Sequence, residues 1–376
     1  VGAVVLDGFN RAFAMELADT IRHEAPQRRL EGALSVRQRS FAVGYGALGV
    51  AVTIAPGQGA GVRIDRLAIG DADAGQARAI AATVTGRLGA HMDFAIGASE
   101  SGTALVGRLA GRSDPAFLIA RDPATTSGFE SDVGGSFALR RALGGGWGLT
   151  MAMETGDVVT SRDRSINWSN RHDRFGYARA TLGIDRRMGG LSAGFAATRL
   201  AETDTVLGAR FADALGGAGA ESFFVDGAVR YDFGAGWSFG GSYRRGWTRA
   251  VFSGAVAGSG TLGTSGFSAD IGKRGLFGAG DRVGMRVAQP LRVETGGLNL
   301  LMPGGWDYAG TSVTDWTSQR VNLTPRGREI DLEFSYAVPI LGDGEWSMGM
   351  FLRRDPGHYA DMADDMGGMM RVSFGF

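Results

Sequence analysis

Apolar and polar residues alternate with a period of two through the last two-thirds of the chain, the spacing of a strand with two unlike faces. In residues 327–340, Arg328, Ile330, Leu332, Phe334, Tyr336, Val338 and Ile340 share one face. Gly327, Glu329, Asp331, Glu333, Ser335 and Ala337 share the other. After a Leu-Gly-Asp-Gly turn signal, Trp346, Met348, Met350 and Leu352 resume the apolar phase. A second hairpin is predicted over 222–247. There Phe223, Val225, Val229, Tyr231 and Phe233 are followed, across Gly-Ala-Gly, by Trp237, Phe239, Tyr243 and Trp247. The same alternation marks 132–154, 176–200, 266–275, 281–293 and the chain end, where Met370, Val372, Phe374 and Phe376 are in phase. These runs predict about eleven strands from Ser131 onward, and Pro115–Asp122 would supply a twelfth.

The first third has a different texture. Phe13, Leu17 and Ile21 stack at helical spacing, and 71–89 has an Asp start and a Gly stop, so both are predicted as helices. A further helix is predicted after Ser99 or Ser101. Residues 39–57 read as strand. The expected organisation is a junction segment over 1–112 and an antiparallel β-barrel of about 12 strands over 113–376.

Composition sharpens this all-β reading. The 63 glycines are spread through the patterned segments, as in strongly curved strands lining a crowded interior. Cysteine is absent, which rules out disulfides, thiolate metal sites and a cysteine nucleophile. Lys+Arg and Asp+Glu both total 39, so no nucleic-acid footprint is expected. There is no apolar run of helical membrane-span length and no basic leader ahead of "VGAVVLDGFNRAF". The chain is therefore expected to be a fragment of a longer protein.

A β-sandwich or a stacked solenoid could alternate in the same way. Aromatics clustered beside tight turns, and short turns alternating with long connections (about 156–172, 202–219, 250–263 and 296–326), favour a membrane barrel with aromatic girdles and a polar interior. On that reading Arg230, Arg244, Arg282, Arg286, Glu329, Asp331 and Glu333, with Arg140 and Asp226, face the lumen. A charge on the lipid face would cost about 2–4 kcal/mol at mid-depth.

Several stretches resemble a known family: "VVLDGFNRAFAMELADTIR", "SESGTALVGRLAGR", "AFLIARDP", "QPLRV", "LTPRGREIDLEFSYAVPILG" and "FLRRDPGHYADM". Together with the terminal Phe, they are similar to the C-terminal translocator region of alphaproteobacterial type V autotransporters that carry a subtilisin-like (S8) peptidase as passenger. The resemblance implies a twelve-stranded outer-membrane barrel that exports or displays its passenger at the cell surface, with a passenger-linked part of the 1–112 segment threaded through its lumen. It also implies outer-membrane lipid and the BAM assembly machinery as partners, and a monomer. Met370, Val372, Phe374 and Phe376 would form the assembly signal, although Arg371 stands where the usual signal has glycine. The subtilisin motifs are absent; Gly310-Thr311-Ser312 is followed by Val and lies in an expected loop.

Chemistry within this chain has weaker support. The four histidines are His23, His91, His172 and His358. A rim hydrolase would use His172, beside Asp173, or His358, but no nucleophile is specified for either. They read as solvated loop residues. The acidic stretch 361–365 lacks the spacing of a calcium loop, and the Gly-rich turns lack a P-loop lysine. No catalytic residue, cofactor or metal is expected. A general porin or structural barrel is the main alternative, and an outer-membrane hydrolase the lesser one.

Overall fold

The computed structural model describes residues 2–6, 11–16, 39–55, 59–63, 76–112, 117, 119–161, 172–211, 217–253, 257–340 and 344–373. Strands β1 (Gly2–Leu6) and β2 (Ala12–Glu16) form a separate antiparallel hairpin. The remaining strands belong to one large sheet. It begins with β3 (Arg39–Tyr45), β4 (Leu48–Ala55), β5 (Gly59–Arg63), β6 (Gln76–Arg87) and β7 (Met92–Ala98). Helix α1 (Gly102–Leu109) then interrupts it. The sheet resumes with β8 (Ser131–Gly144), β9 (Trp147–Ser161), β10 (His172–Met188), β11 (Leu191–Thr203), β12 (Gly217–Gly234) and β13 (Trp237–Ser253). It ends with β14 (Ala257–Arg274), β15 (Arg282–Asp307), β16 (Ser312–Asn322), β17 (Ile330–Ile340), β18 (Gly344–Arg354) and β19 (Asp365–Ser373).

Pairing is antiparallel throughout except for β5, which runs parallel to β6. Neighbours in the sheet are mostly neighbours in sequence, and the order of strands sets β19 beside β3, so the sheet curls round on itself. Glycine turns hold the hairpins at one end. Gly146 has φ +80°, and a Cβ there would meet the Arg187 carbonyl oxygen at 2.1 Å, so only glycine fits between β8 and β9. Asp281 organises the turn between β14 and β15, accepting from the backbone N–H of Leu276 (2.7 Å), Phe277 (2.8 Å) and Gly278 (3.2 Å). Burial pushes this carboxyl up, but the N–H groups of Phe277, Leu276, Gly278 and Gly275 outweigh it and hold Asp281 below the usual carboxylate range.

Side chains sort by parity. On β13, Arg244, Thr248, Ala250 and Phe252 are buried on the inner face, while Tyr243, Trp247 and Val251 are exposed on the outer one. Toward the end remote from the glycine turns, the inner face becomes apolar. Val206, Ala218, Ala220, Ala250, Phe252, Leu262, Leu298, Leu300 and Met302 pack together there.

Several expectations are corrected. Residues 76–87 form strand β6, not a helix: Thr83, Val84 and Thr85 are β-branched and pair across to β4 and β7. Ala12–Glu16 is likewise a strand, with Phe13 opposite Val5, and the rest of that expected helix lies outside the described residues. The boundary at 112/113 does not divide the sheet, because β7 pairs with β8 from Met92↔Arg141 to Ala98↔Gly135. The described part of Pro115–Asp122 is not a strand but lies inside the curled sheet. Twelve strands do run from Ser131 onward, yet β3–β7 join them, so the count exceeds twelve. Neither 296–326 nor 250–263 is an open connection. The first half of β15 pairs with β17, its second half pairs with β16, and 250–263 belongs to β13 and β14 outside 254–256.

Helix α1 forms within the 99–112 stretch expected to be helical, and of the two candidate caps it is Ser101 that serves: its hydroxyl oxygen accepts from Ala104 N–H at 3.2 Å. Ser101→Ala should weaken the first turn by about 1 kcal/mol. The check is amide hydrogen exchange, which should quicken roughly fivefold at Ala104 while the amides of β10 stay unchanged.

Candidate functional site in the interior of the sheet

The chain between β7 and β8 turns inward and occupies the interior. Helix α1 enters first. Leu105 is fully buried against Ala95, Ala138 and Ala152 of the wall. A Cβ on Gly102 would lie 3.3 Å from Ala152 Cβ and 3.4 Å from Glu154 Oε2, so this end of the helix sits tightly against β9. Gly102 N–H donates to Glu154 Oε2 at 2.7 Å, setting a carboxylate at the helix N-terminus. Arg179 fastens the same turn, donating to Glu154 (3.4 Å), Thr103 Oγ1 (3.1 Å) and Ser127 Oγ (3.2 Å). At the other helix end, Arg187 donates to the Ala110 carbonyl at 3.1 Å.

The segment after α1 is held by its backbone. Ile119 and Ala120 N–H both donate to Glu333 Oε2, at 2.7 and 2.9 Å. Arg244 donates to the carbonyls of Thr126 (2.6 Å) and Ala124 (3.1 Å). Its remaining donors meet Asp226 at 2.6 and 2.9 Å. Ser242 Oγ donates to Asp122 at 2.5 Å. Arg286 lies 4.4 Å from the ring centre of Phe117 and donates to Asp270 at 2.9 Å; Arg230 donates to the same carboxylate at 3.1 and 3.3 Å. Wall carboxylates thus take the N–H groups of this segment and wall arginines take its carbonyls. Backbone polar groups that a buried irregular segment would leave bare are satisfied in this way.

Below the segment, toward the glycine turns, a cavity of about 940 Å³ remains, bordered by Arg112, Asp185, Arg230, Asp270, Glu333 and Ser335. Arg140 and Arg112 both pair with Asp185 at its side, Arg112 at 3.6 Å. Cations and carboxylates alternate round the cavity, so it has no strong bias for either sign of ion.

A second cluster lies at the far end of the sheet. Arg353 is 1% exposed, pairs with Glu329 (2.9 Å), Asp331 (3.5 Å) and Asp365 (3.2 Å), and so serves three carboxylates. His358 is buried beside it, in a 3-10 turn over Pro356–His358. Its Nδ1 accepts from Glu329 N–H at 2.9 Å, and Nε2 lies 3.2 Å from the Leu291 carbonyl, to which it donates as the neutral tautomer. Burial lowers its pKa, the Glu329 charge opposing in part.

Among the residues expected in the interior, Arg244, Arg286, Glu329, Asp331 and Glu333 are buried on the inner face. Arg230 is half-buried and Arg282 is largely exposed near the glycine turns, where it pairs with Glu345. Met370 and Val372 point outward, 64% and 54% exposed; Phe374 and Phe376 lie outside the described residues. The expectation that His358 is a solvated loop residue is overturned by its two hydrogen bonds. His91 is exposed in the turn between β6 and β7, His172 begins β10, and His23 lies outside the described residues. Among the described residues no group of three or more His, Asp or Glu is placed to hold a metal ion. Sequence reasoning missed Glu154, Arg179, Asp185, Asp270 and Arg353. Their inward parity was a usable signal: Glu154 is in phase with buried Thr150 and Ala152. No family model matches the chain, and no curated protein matches it.

Two predictions follow from this geometry. Arg244→Leu strands Asp226 in the interior and should cost about 3–5 kcal/mol, much of which Asp226→Asn combined with Arg244→Met should restore. The urea midpoint of the refolded chain measures both. For His358, whose folded-state pKa is lowered, the unfolded chain binds the proton more readily. Its contribution to stability is full above about pH 6.5 and declines as pH falls below that value. Protection of amides 355–364, taken relative to their intrinsic exchange rate at each pH, should fall between neutral and mildly acidic pH, and His358→Gln should remove that pH dependence.

Proposed function

We propose that this chain is a transmembrane β-barrel, closed by β19 against β3, that anchors an N-terminal passenger in the bacterial outer membrane. The observation that carries the reading is the inverted polarity of the sheet. Charged Glu154, Arg179, Asp226, Arg244, Asp270 and Glu333 are buried inside, while Met153, Leu182, Phe195, Phe223 and Trp247 stand about half exposed outside. A water-soluble β protein has the opposite arrangement.

The outer face also has the dimensions of a bilayer. On β10, Arg174 and Arg186 face outward with Gly176, Ala178, Ala180, Leu182 and Ile184 between them. Twelve residues at a strand tilt of about 40° span roughly 30 Å, close to the apolar band of a membrane barrel. Outward ion pairs Arg174–Asp132 (2.7 Å) and Arg199–Glu221 (2.5 Å) mark the end remote from the glycine turns. On β13 the uncharged stretch is shorter and ends at Arg245.

The occupied interior favours an anchor over a diffusion porin. A pore would be blocked by the described residues of 101–112 and 119–130, which are tied to the wall at both the helix and the loop. The resemblance to S8-type autotransporters supplies the remainder of the proposal: a serine-peptidase passenger exported to the cell surface, BAM-assisted assembly and a monomeric barrel. No covalent chemistry is required of this chain.

The refolded chain should migrate faster on a detergent gel before heating than after, and it should insert into vesicles. A soluble monomer free of detergent would sink the proposal. Phe195→Arg should lower stability in bilayers by about 2–4 kcal/mol. In planar bilayers the chain should conduct weakly, and Glu333→Ala with Arg244→Ala should raise the conductance. Steady high conductance from the unaltered chain would point to a porin instead.

A further inference from the structure

Two short stretches share a construction that neither the interior nor the fold explains. Trp147 follows Gly144-Gly145-Gly146, and Trp237 follows Gly234-Ala235-Gly236. Each Trp is the first residue of a strand leaving a glycine turn. Each is paired directly with a cation on the next strand, Trp147 with Arg186 and Trp237 with Lys273. The Arg186 guanidinium lies 5.0 Å from the Trp147 ring centre, and Lys273 Nζ lies 5.5 Å from that of Trp237.

All four side chains lie on the outer face. Trp147 shares parity with exposed Leu149 and Met151, Arg186 with Leu182 and Ile184, Trp237 with Phe239, and Lys273 with Ile271. The two indoles are almost equally exposed, at 41% and 42%. The neighbouring carboxylates are committed to the interior, Asp185 to Arg140 and Asp270 to Arg230 and Arg286. The Arg186 side chain makes no hydrogen bond among the described residues; its Nε is buried, so the terminal guanidinium nitrogens are the donors that could meet a ligand. Lys273 donates to the Ala235 carbonyl, one of three bonds an ammonium can make. Each pair is therefore a fixed cation at one edge of the apolar band, with donors left over.

We propose that Trp147–Arg186 and Trp237–Lys273 are two equivalent sites on the outer wall, each binding the phosphate of an anionic phospholipid in the leaflet at the glycine-turn end. The inference rests on the membrane reading above. Indole rings settle at the headgroup level, and the aromatic face holds the cation there rather than letting it extend into water. The headgroup phosphate supplies the acceptor that the protein does not, and the acyl chains run along the apolar strand face beneath. Four strand spacings separate the two pairs, roughly 19 Å along the wall, so each takes its own lipid.

The test is native mass spectrometry of the full refolded chain in micelles doped with phosphatidylglycerol or phosphatidylcholine. The unaltered chain should retain up to two phosphatidylglycerols, and phosphatidylcholine at least fivefold less. Arg186→Gln and Lys273→Gln should each retain one, the double variant neither, all three keeping heat-modifiable migration. Added inorganic phosphate should leave retention unchanged. Undiminished retention by the heat-modifiable double variant, equal retention of the two lipids, or displacement by inorganic phosphate would overturn these sites and leave the barrel standing. A chain that shows no heat-modifiable form would overturn both.

Discussion

A strand offers its side chains only two directions, and the sheet described here has its apolar direction pointing outward. Every other feature answers to that constraint. Across the apolar band charged residues can then go inside, where each charge must find an opposite charge or a backbone partner. Among the described residues the interior charges are shared between several partners. Asp270 serves two arginines, Arg353 serves three carboxylates, and Arg244 divides its donors between Asp226 and two carbonyls. The segment between β7 and β8 is part of the same solution, because its backbone groups complete the coordination of wall side chains as much as the wall secures the segment.

The apolar cluster around Phe252, Leu298 and Leu300 shows the limit of that rule. Where the sheet rises beyond the charged ring, its inner face becomes apolar and packs against Val206, with Phe211 edge-on to Phe252 at 4.9 Å between ring centres. The interior is thus layered along its axis: a charged cavity near the glycine turns, a latched segment above it, and an apolar layer beyond. Such layering separates the functions of one inner surface without separate domains.

Legibility in the sequence followed the same physics. Strands with one apolar and one charged face, such as β13 and β17, were readable from alternation alone, and the serines at 99 and 101 announced a helix without settling which of them caps it. Strand β6 was not, because alanine, glycine and threonine contribute little contrast between faces, and an Asp-to-Gly interval imitates a helix. Residues 250–263 were misread as loop because Ala250, Phe252 and Leu262 place apolar groups on the inner face, cancelling the contrast. The interior charges were visible as a class, but their partners were not: Glu333 meets Ile119 across more than two hundred residues, a pairing set only by how the segment folds inward. His358 was misjudged because its loop reads as polar, whereas its ring is enclosed by Glu329 and Leu291.

The segment over 99–130 is joined to the wall at both ends, to β7 before it and to β8 after it. It resembles a strap with two buckles more than a cork on a string. If its bonds to Glu333 and Arg244 parted, the chain would still hold it within a few nanometres, at an effective concentration near the millimolar range that short tethers impose. Recapture would therefore outpace escape unless something else filled the space. Any large opening of the interior must be sustained by an occupant, since the wall of the sheet itself keeps returning its own strap.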